Sequence, residues 1–129
     1  METRIVARVD IDLRILFRLP EGPTQQFALA AGKSFEANAL DISVLGIGVL
    51  SRYFLPHGLI LDLEIDGKLL GLNEVIKVKG EIRYCRYLKD VGYRCGIKFL
   101  DLSEDYQKAI TKFISTSERR GEPRIKLAE

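Results

Sequence analysis

The stretch LDISVLGIGVL (40–50) is apolar enough for a β-strand, yet Asp41, Ser43, Gly46 and Gly48 interrupt it. Asp is a poor strand former, and Gly weakens a strand interior unless a bulge, a turn or a close approach needs it. Asp41 and Ser43 share a parity, so both leave the same side of an extended chain. A carboxylate and a hydroxyl side by side can accept from adjacent N–H donors, such as those on a guanine edge. Gly46 can turn sharply and let a flat ring approach the backbone. A local reading competes, in which Asp and Ser open a turn and Gly closes it. Spacing alone favours the turn.

A second group with chemical potential lies at the N-terminus, where Arg4 and Arg8 stand in R-x-x-x-R spacing just ahead of an alternating segment. Arginine makes bidentate bonds to phosphate and to the O6/N7 edge of guanine, and it stacks on rings. Two guanidinium groups on such an arm suit a ligand with two phosphates and flat bases. Taken alone the motif is weak, because surface arginines usually just solvate.

Catalysis finds little support. The single histidine, His57, sits in the loop LPHG (55–58) and reads as a solvated turn residue. Ser43 lacks a G-x-S-x-G elbow and has no base near it in sequence. There is no P-loop, no H-E-x-x-H and no Cys/His cluster. Asp62 and Glu64 share the outward parity of a strand and read as solvated surface. The chain is therefore expected to be no enzyme and to hold no catalytic residues, no metal and no cofactor.

The elements that must position these residues follow from periodicity. VDIDLRILFRL (9–19) alternates, with Val9, Ile11, Leu13, Ile15, Phe17 and Leu19 on one side, as a half-buried strand requires. PEGP (20–23) breaks it, and 25–43 can hold two strands around Gly32–Lys33, the second burying Phe35, Ala37 and Ala39. Ser43 to Gly46 reads as a tight turn before a strand from Ile47 to Leu50. LILDLEI (59–65) alternates again, and Asp66–Gly67 suits a hairpin turn. EVIKVKGEIRY (74–84) sends Ile76, Val78, Ile82 and Tyr84 inward. After a turn at Lys89–Gly92, YRCGIKF (93–99) sends Cys95, Ile97 and Phe99 inward. The same parity turns Cys85 outward, which argues against a Cys85–Cys95 disulfide. DLSEDYQKAITKFISTS (101–117) is the one clear helix. Asp101 or Ser103 caps it, and Tyr106, Ile110, Phe113 and Ile114 form its apolar stripe.

These elements make six or seven antiparallel strands followed by one C-terminal helix, and a small closed barrel fits because closure removes sheet edges. At 129 residues and 47% hydrophobic content the chain can bury a core as one domain without staples. The domain is expected over 1–117, with 118–129 as a charged tail. A net charge of +2 is too small for a general nucleic-acid binder. A barrel that binds single strands would need a basic groove with stacking aromatics. Arg83, Tyr84, Arg86, Tyr87, Tyr93 and Arg94 suggest one, but parity sends Tyr84 and Tyr93 inward and leaves Tyr87 alone. No apolar run approaches a membrane span, and the charged N-terminus does not read as a signal peptide, so a cytoplasmic location is expected.

In their order and spacing, Arg4 and Arg8, then D-x-S-x-x-G (Asp41, Ser43, Gly46), then YRCGIKFLDLSEDYQKAITKFI, resemble the PilZ domain family over roughly residues 4 to 115. The resemblance implies a bacterial six-stranded β-barrel that binds the second messenger cyclic di-GMP and relays the signal to a protein partner. It implies that Arg4 and Arg8 wrap phosphates and guanine faces. It also implies that Asp41 and Ser43 hold a guanine edge and that Gly46 permits the approach. Some PilZ domains lack the binding motifs and act as protein-interaction modules, which is the alternative function. Here Thr3 stands where further basic residues often precede the first arginine. A second R-x-x-x-R, Arg120 and Arg124, lies in the tail. It reads as a solvated tail, as an arm reaching the binding face of its own subunit or of a neighbour in a homodimer, or as the opening of a further region.

Overall fold

The computed structural model describes residues 6–18, 34–120 and 125–128; for 6–10, 12–14, 34–35, 117–120 and 125–128 it describes the backbone only. Arg4, Leu19, the PEGP break, the strand expected before Gly32 and Arg124 lie outside the described residues. The strands are β1 (Val6–Arg18), β2 (Ser34–Ile42), β3 (Gly46–Ser51), β4 (Ile60–Asp66), β5 (Val75–Leu88), β6 (Gly92–Leu100) and β7 (Ile125–Ala128). The helix α1 (Glu104–Arg120) lies between β6 and β7. Antiparallel pairing runs β2-β3-β6-β5-β4-β1, and β1 pairs back onto β2. Six strands thus close an antiparallel barrel with one helix after them, and no strand within the ring is left with two open edges.

Alternation fills the interior largely as expected. Ile15, Phe17, Ala37, Ala39, Leu61, Leu63, Ile65, Ile76, Ile82, Ile97 and Phe99 are buried in one core. The helix stripe adds Ile110 and Ile114 to that core, with Tyr106 and Phe113 half-buried against it. Ser103 caps α1, its Oγ accepting from the Tyr106 N–H at 3.2 Å. Asp101 takes a left-handed backbone instead (φ 54°).

Asp66–Gly67 is not a two-residue hairpin. Asp66 has an extended backbone, and its side chain caps a 3₁₀ turn, Gly67–Leu70, by accepting from the Lys68 N–H. The longer connection buries Leu70 and gives α1 a surface to pack on, together with β1. The tail also has structure. Ile125–Ala128 pairs antiparallel with Val6–Val9, setting Lys126 opposite Arg8. The tail therefore returns to the N-terminal arm of its own chain.

Three register shifts displace residues from simple parity, the first in β1 between Asp10 and Leu13. A second lies in β2 between Ala39 and Asp41, so that Ala39 and Ile42 both face the core. A third lies in β5 between Ile82 and Tyr84. An extra residue in one strand moves everything beyond it to the other face. Tyr84, expected inward, is 37% exposed, whereas Cys85, expected outward, packs against the core opposite buried Cys95. Tyr93 is half-buried at the end of the barrel.

Candidate functional site

One row of residues crosses five strands. Asp10 of β1 faces Asp41 of β2, Asp41 faces Gly48 of β3, Gly48 faces Gly96 of β6, and Gly96 faces Tyr84 of β5. The two glycines make a floor, and flanking side chains fold onto it from both sides. A Cβ at Gly48 would come within 2.6 Å of Asp41 Oδ1, and one at Gly96 would overlap the Tyr84 ring. Any larger residue at either position would push these groups off the sheet.

Asp41 is only 1% exposed, and its Oδ2 accepts from an Arg94 terminal N–H at 2.9 Å. Such a carboxylate would be costly without a donor. Arg94 stands on β6 opposite Arg86, whose guanidinium lies 5.7 Å from the centre of the Tyr84 ring. Burial works against the charge on Arg94. The hydrogen bond to Asp41 and the acidic groups of Tyr84 and Asp41 beside it outweigh burial and raise its pKa above the ordinary arginine value. The result is a held anion, a held cation and an aromatic ring on a flat floor. That arrangement can accept N–H donors, attract phosphate and lie against a planar base.

Ser43 does different work. Its Oγ accepts from the N–H groups of Leu45 (3.2 Å) and Gly46 (3.3 Å), and its own N–H donates to the Gly46 carbonyl at 2.9 Å. The hydroxyl therefore builds the β2–β3 turn. Gly46 is needed by the barrel itself, because a Cβ there would overlap the Ile97 carbonyl oxygen of β6. Arg8 lies in β1 one residue before Val9, which pairs with Ile42, so its backbone reaches the same edge of the row as Asp41.

The structure thus brings the backbone of Arg8, the carboxylate of Asp41 and the Ser43 turn together, and it adds Arg94, Tyr84, Gly48 and Gly96. Pairing β3 with β6 in register would have put Gly48 beside Gly96. Nothing local announces the bulge that turns Tyr84 outward. That outward turn removes the parity objection to an aromatic surface, yet the exposed rings do not share one face. Tyr84 lies on the glycine floor, while Tyr87 and Phe54 gather on Tyr93 at the end of the barrel (centroids 5.4 and 5.9 Å). Among the described residues no group of three or more His, Cys, Asp or Glu could hold a metal, and no helix is long and apolar enough to cross a membrane.

Comparison with known proteins adds a lineage. The family model of the PilZ domain matches residues 4–116. An uncharacterized protein of Aquifex aeolicus (strain VF5) is 39% identical over 85 residues, which is 64% of this chain and 38% of that protein. The inhibitor of motility MotI/DgrA of Bacillus subtilis has a similar structure, with a TM-score of 0.68 at 15% identity over 95% of this chain and 54% of its own. The PilZ domain of YcgR from Escherichia coli, solved with c-di-GMP, gives a TM-score of 0.60 at 16% identity, covering 94% of this chain and 95% of that one. The chain spans 38% of the Aquifex protein and about half of MotI/DgrA.

Proposed function

Because the chain belongs to the PilZ domain family, we propose that it binds cyclic di-GMP on the outer face of the barrel and passes the signal to a protein partner. PilZ domains are typically non-catalytic binding modules, and the E. coli relative was solved with this dinucleotide. The observation that carries the reading is Asp41, a carboxylate on a glycine floor with Arg94 and Tyr84 beside it. On this reading Arg4 and Arg8 bind phosphates and guanine faces, and Asp41 accepts from a guanine edge. Ser43 and Gly46 hold the turn and strand that aim Asp41. Arg94 keeps Asp41 neutralised until guanine N–H donors share or replace it. Ligand binding then shifts the population of the N-terminal arm and changes the surface a partner meets.

A calorimetric titration of the full chain with cyclic di-GMP, with GTP as control, tests this. Heat with the cyclic dinucleotide alone is expected. Arg8→Ala should weaken it about ten- to hundredfold, since a hydrogen bond to a charged group contributes about 1.5–3 kcal/mol. A second reading, a protein-interaction module that binds no nucleotide, has its own observation. Phe54, Tyr87 and Val91 stand more than half exposed at one end of the barrel. The absence of heat with both nucleotides would favour that reading.

A further inference from the structure

Two thiols meet on the inner side of the β5–β6 hairpin. Cys85 and Cys95 are directly paired across the strands, both are free, and their sulfurs stand 3.1 Å apart. A disulfide needs an S–S distance of about 2.05 Å, about 1 Å shorter than the separation here. The two sulfurs are not equivalent. Cys85 is half-buried, and its Sγ accepts from the Leu55 N–H at 3.3 Å and from the Cys95 S–H. Cys95 is fully buried. Burial, reinforced by Cys85, pushes the Cys95 thiol well above the ordinary range, which keeps its proton on. Cys85 is the less buried of the two sulfurs and therefore the one a small oxidant reaches first.

We propose that Cys85 and Cys95 form a reversible oxidation site for hydroperoxides, with Cys85 as the attacking sulfur and Cys95 as the resolving one. Cys85 loses its proton to water and attacks one oxygen of hydrogen peroxide. The S–O bond forms, the O–O bond breaks, and the leaving hydroxide takes up a proton to become water. Cys95 Sγ then attacks the sulfenic sulfur. The S–S bond forms, the S–O bond breaks, and a second water leaves with the Cys95 proton. Two thiols have lost two electrons in total, and one peroxide has become two waters. Cys85 lies beside the segment that carries Leu55, whose neighbour Phe54 packs on Tyr93.

The site is placed to affect the outer face. The pairs on either side of Cys85–Cys95 are Tyr84–Gly96 and Arg86–Arg94. A disulfide between them would stiffen the hairpin that presents Tyr84 and Arg94 to Asp41. If the preceding reading of that face holds, on which this consequence rests, oxidation pre-organises the site and tightens cyclic di-GMP binding about two- to fivefold.

The test uses the full chain, reduced and then exposed to hydrogen peroxide, then unfolded in guanidinium chloride so that buried thiols react, with remaining thiols alkylated by N-ethylmaleimide and the intact mass measured. Oxidised monomer should take up no adduct, and dithiothreitol should restore both sites. Cys95→Ser should leave Cys85 as a sulfenic acid that dimedone labels, whereas Cys85→Ser should take no label. Persistent alkylation of both thiols, or disulfide-linked dimers in place of closed monomer, overturns the oxidation site. Cyclic di-GMP titrations of both forms then separate the rest. Equal affinity overturns the coupling. Binding by neither form overturns the nucleotide reading and leaves the oxidation site standing on the mass data.

Discussion

Asp41 and Ser43 are separated by one residue, yet they belong to different kinds of structure. Asp41 accepts a hydrogen bond from Arg94, 53 residues away on β6, and is buried. Ser43 finds its partners within three residues, inside its own turn. The first arrangement exists only when the barrel is closed. The second could form in an isolated hairpin. Two letters of one short motif therefore divide into a tertiary charge pair and a local turn.

The sharpest way to break this division is at its hinge. Gly46→Ala would drive a methyl group into the Ile97 carbonyl, a backbone atom that cannot yield without parting β3 from β6. The expected loss is about 3 kcal/mol, at the upper end for overpacking, read as a fall in the urea midpoint at constant slope. Next comes Arg94→Ala, which removes the Arg94 guanidinium from buried Asp41. Breaking a fully buried pair costs about 3–5 kcal/mol, and because Arg94 is a quarter exposed about 2–3 kcal/mol is expected. The double variant Asp41→Ala/Arg94→Ala should recover most of that loss. A double variant no more stable than Arg94→Ala would mean that the pair is not what holds Asp41 in place.

The smaller effects separate the two residues themselves. Asp41→Ala should weaken cyclic di-GMP binding by about 1–3 kcal/mol, the worth of a good bidentate base contact. Its effect on stability should be less than that of Arg94→Ala, because Arg94 can turn toward water. Ser43→Ala should lower stability by about 1 kcal/mol through the loss of long, neutral hydrogen bonds. It should change affinity little. Loss of affinity in Ser43→Ala with stability intact would mean that the hydroxyl reads the ligand directly, and the division between the two residues would fail.

Much of this molecule is visible in its residue pattern. The alternation of Leu59, Leu61, Leu63 and Ile65, the turn at Ser43–Gly46 and the stripe of Ile110 and Ile114 all stand as their spacing implies. Each depends on neighbours within a few residues, and local periodicity records such neighbours directly. The order of Arg4, Arg8, Asp41, Ser43 and Gly46 likewise marks the family.

What the pattern could not supply depends on partners far away in sequence. Whether Tyr84 or Cys85 faces the core is decided by a register shift against β6, and a shift of one residue reverses every side chain after it. The hydrogen bond between Arg94 and Asp41, the glycine floor and the meeting of Cys85 with Cys95 all arise from strand neighbours in the closed sheet. The same holds for β7, whose four residues read as charged tail until β1 offers an open edge. Periodicity determines which residues alternate. Only closure of the barrel, by choosing each strand's partner and offset, determines which of them meet.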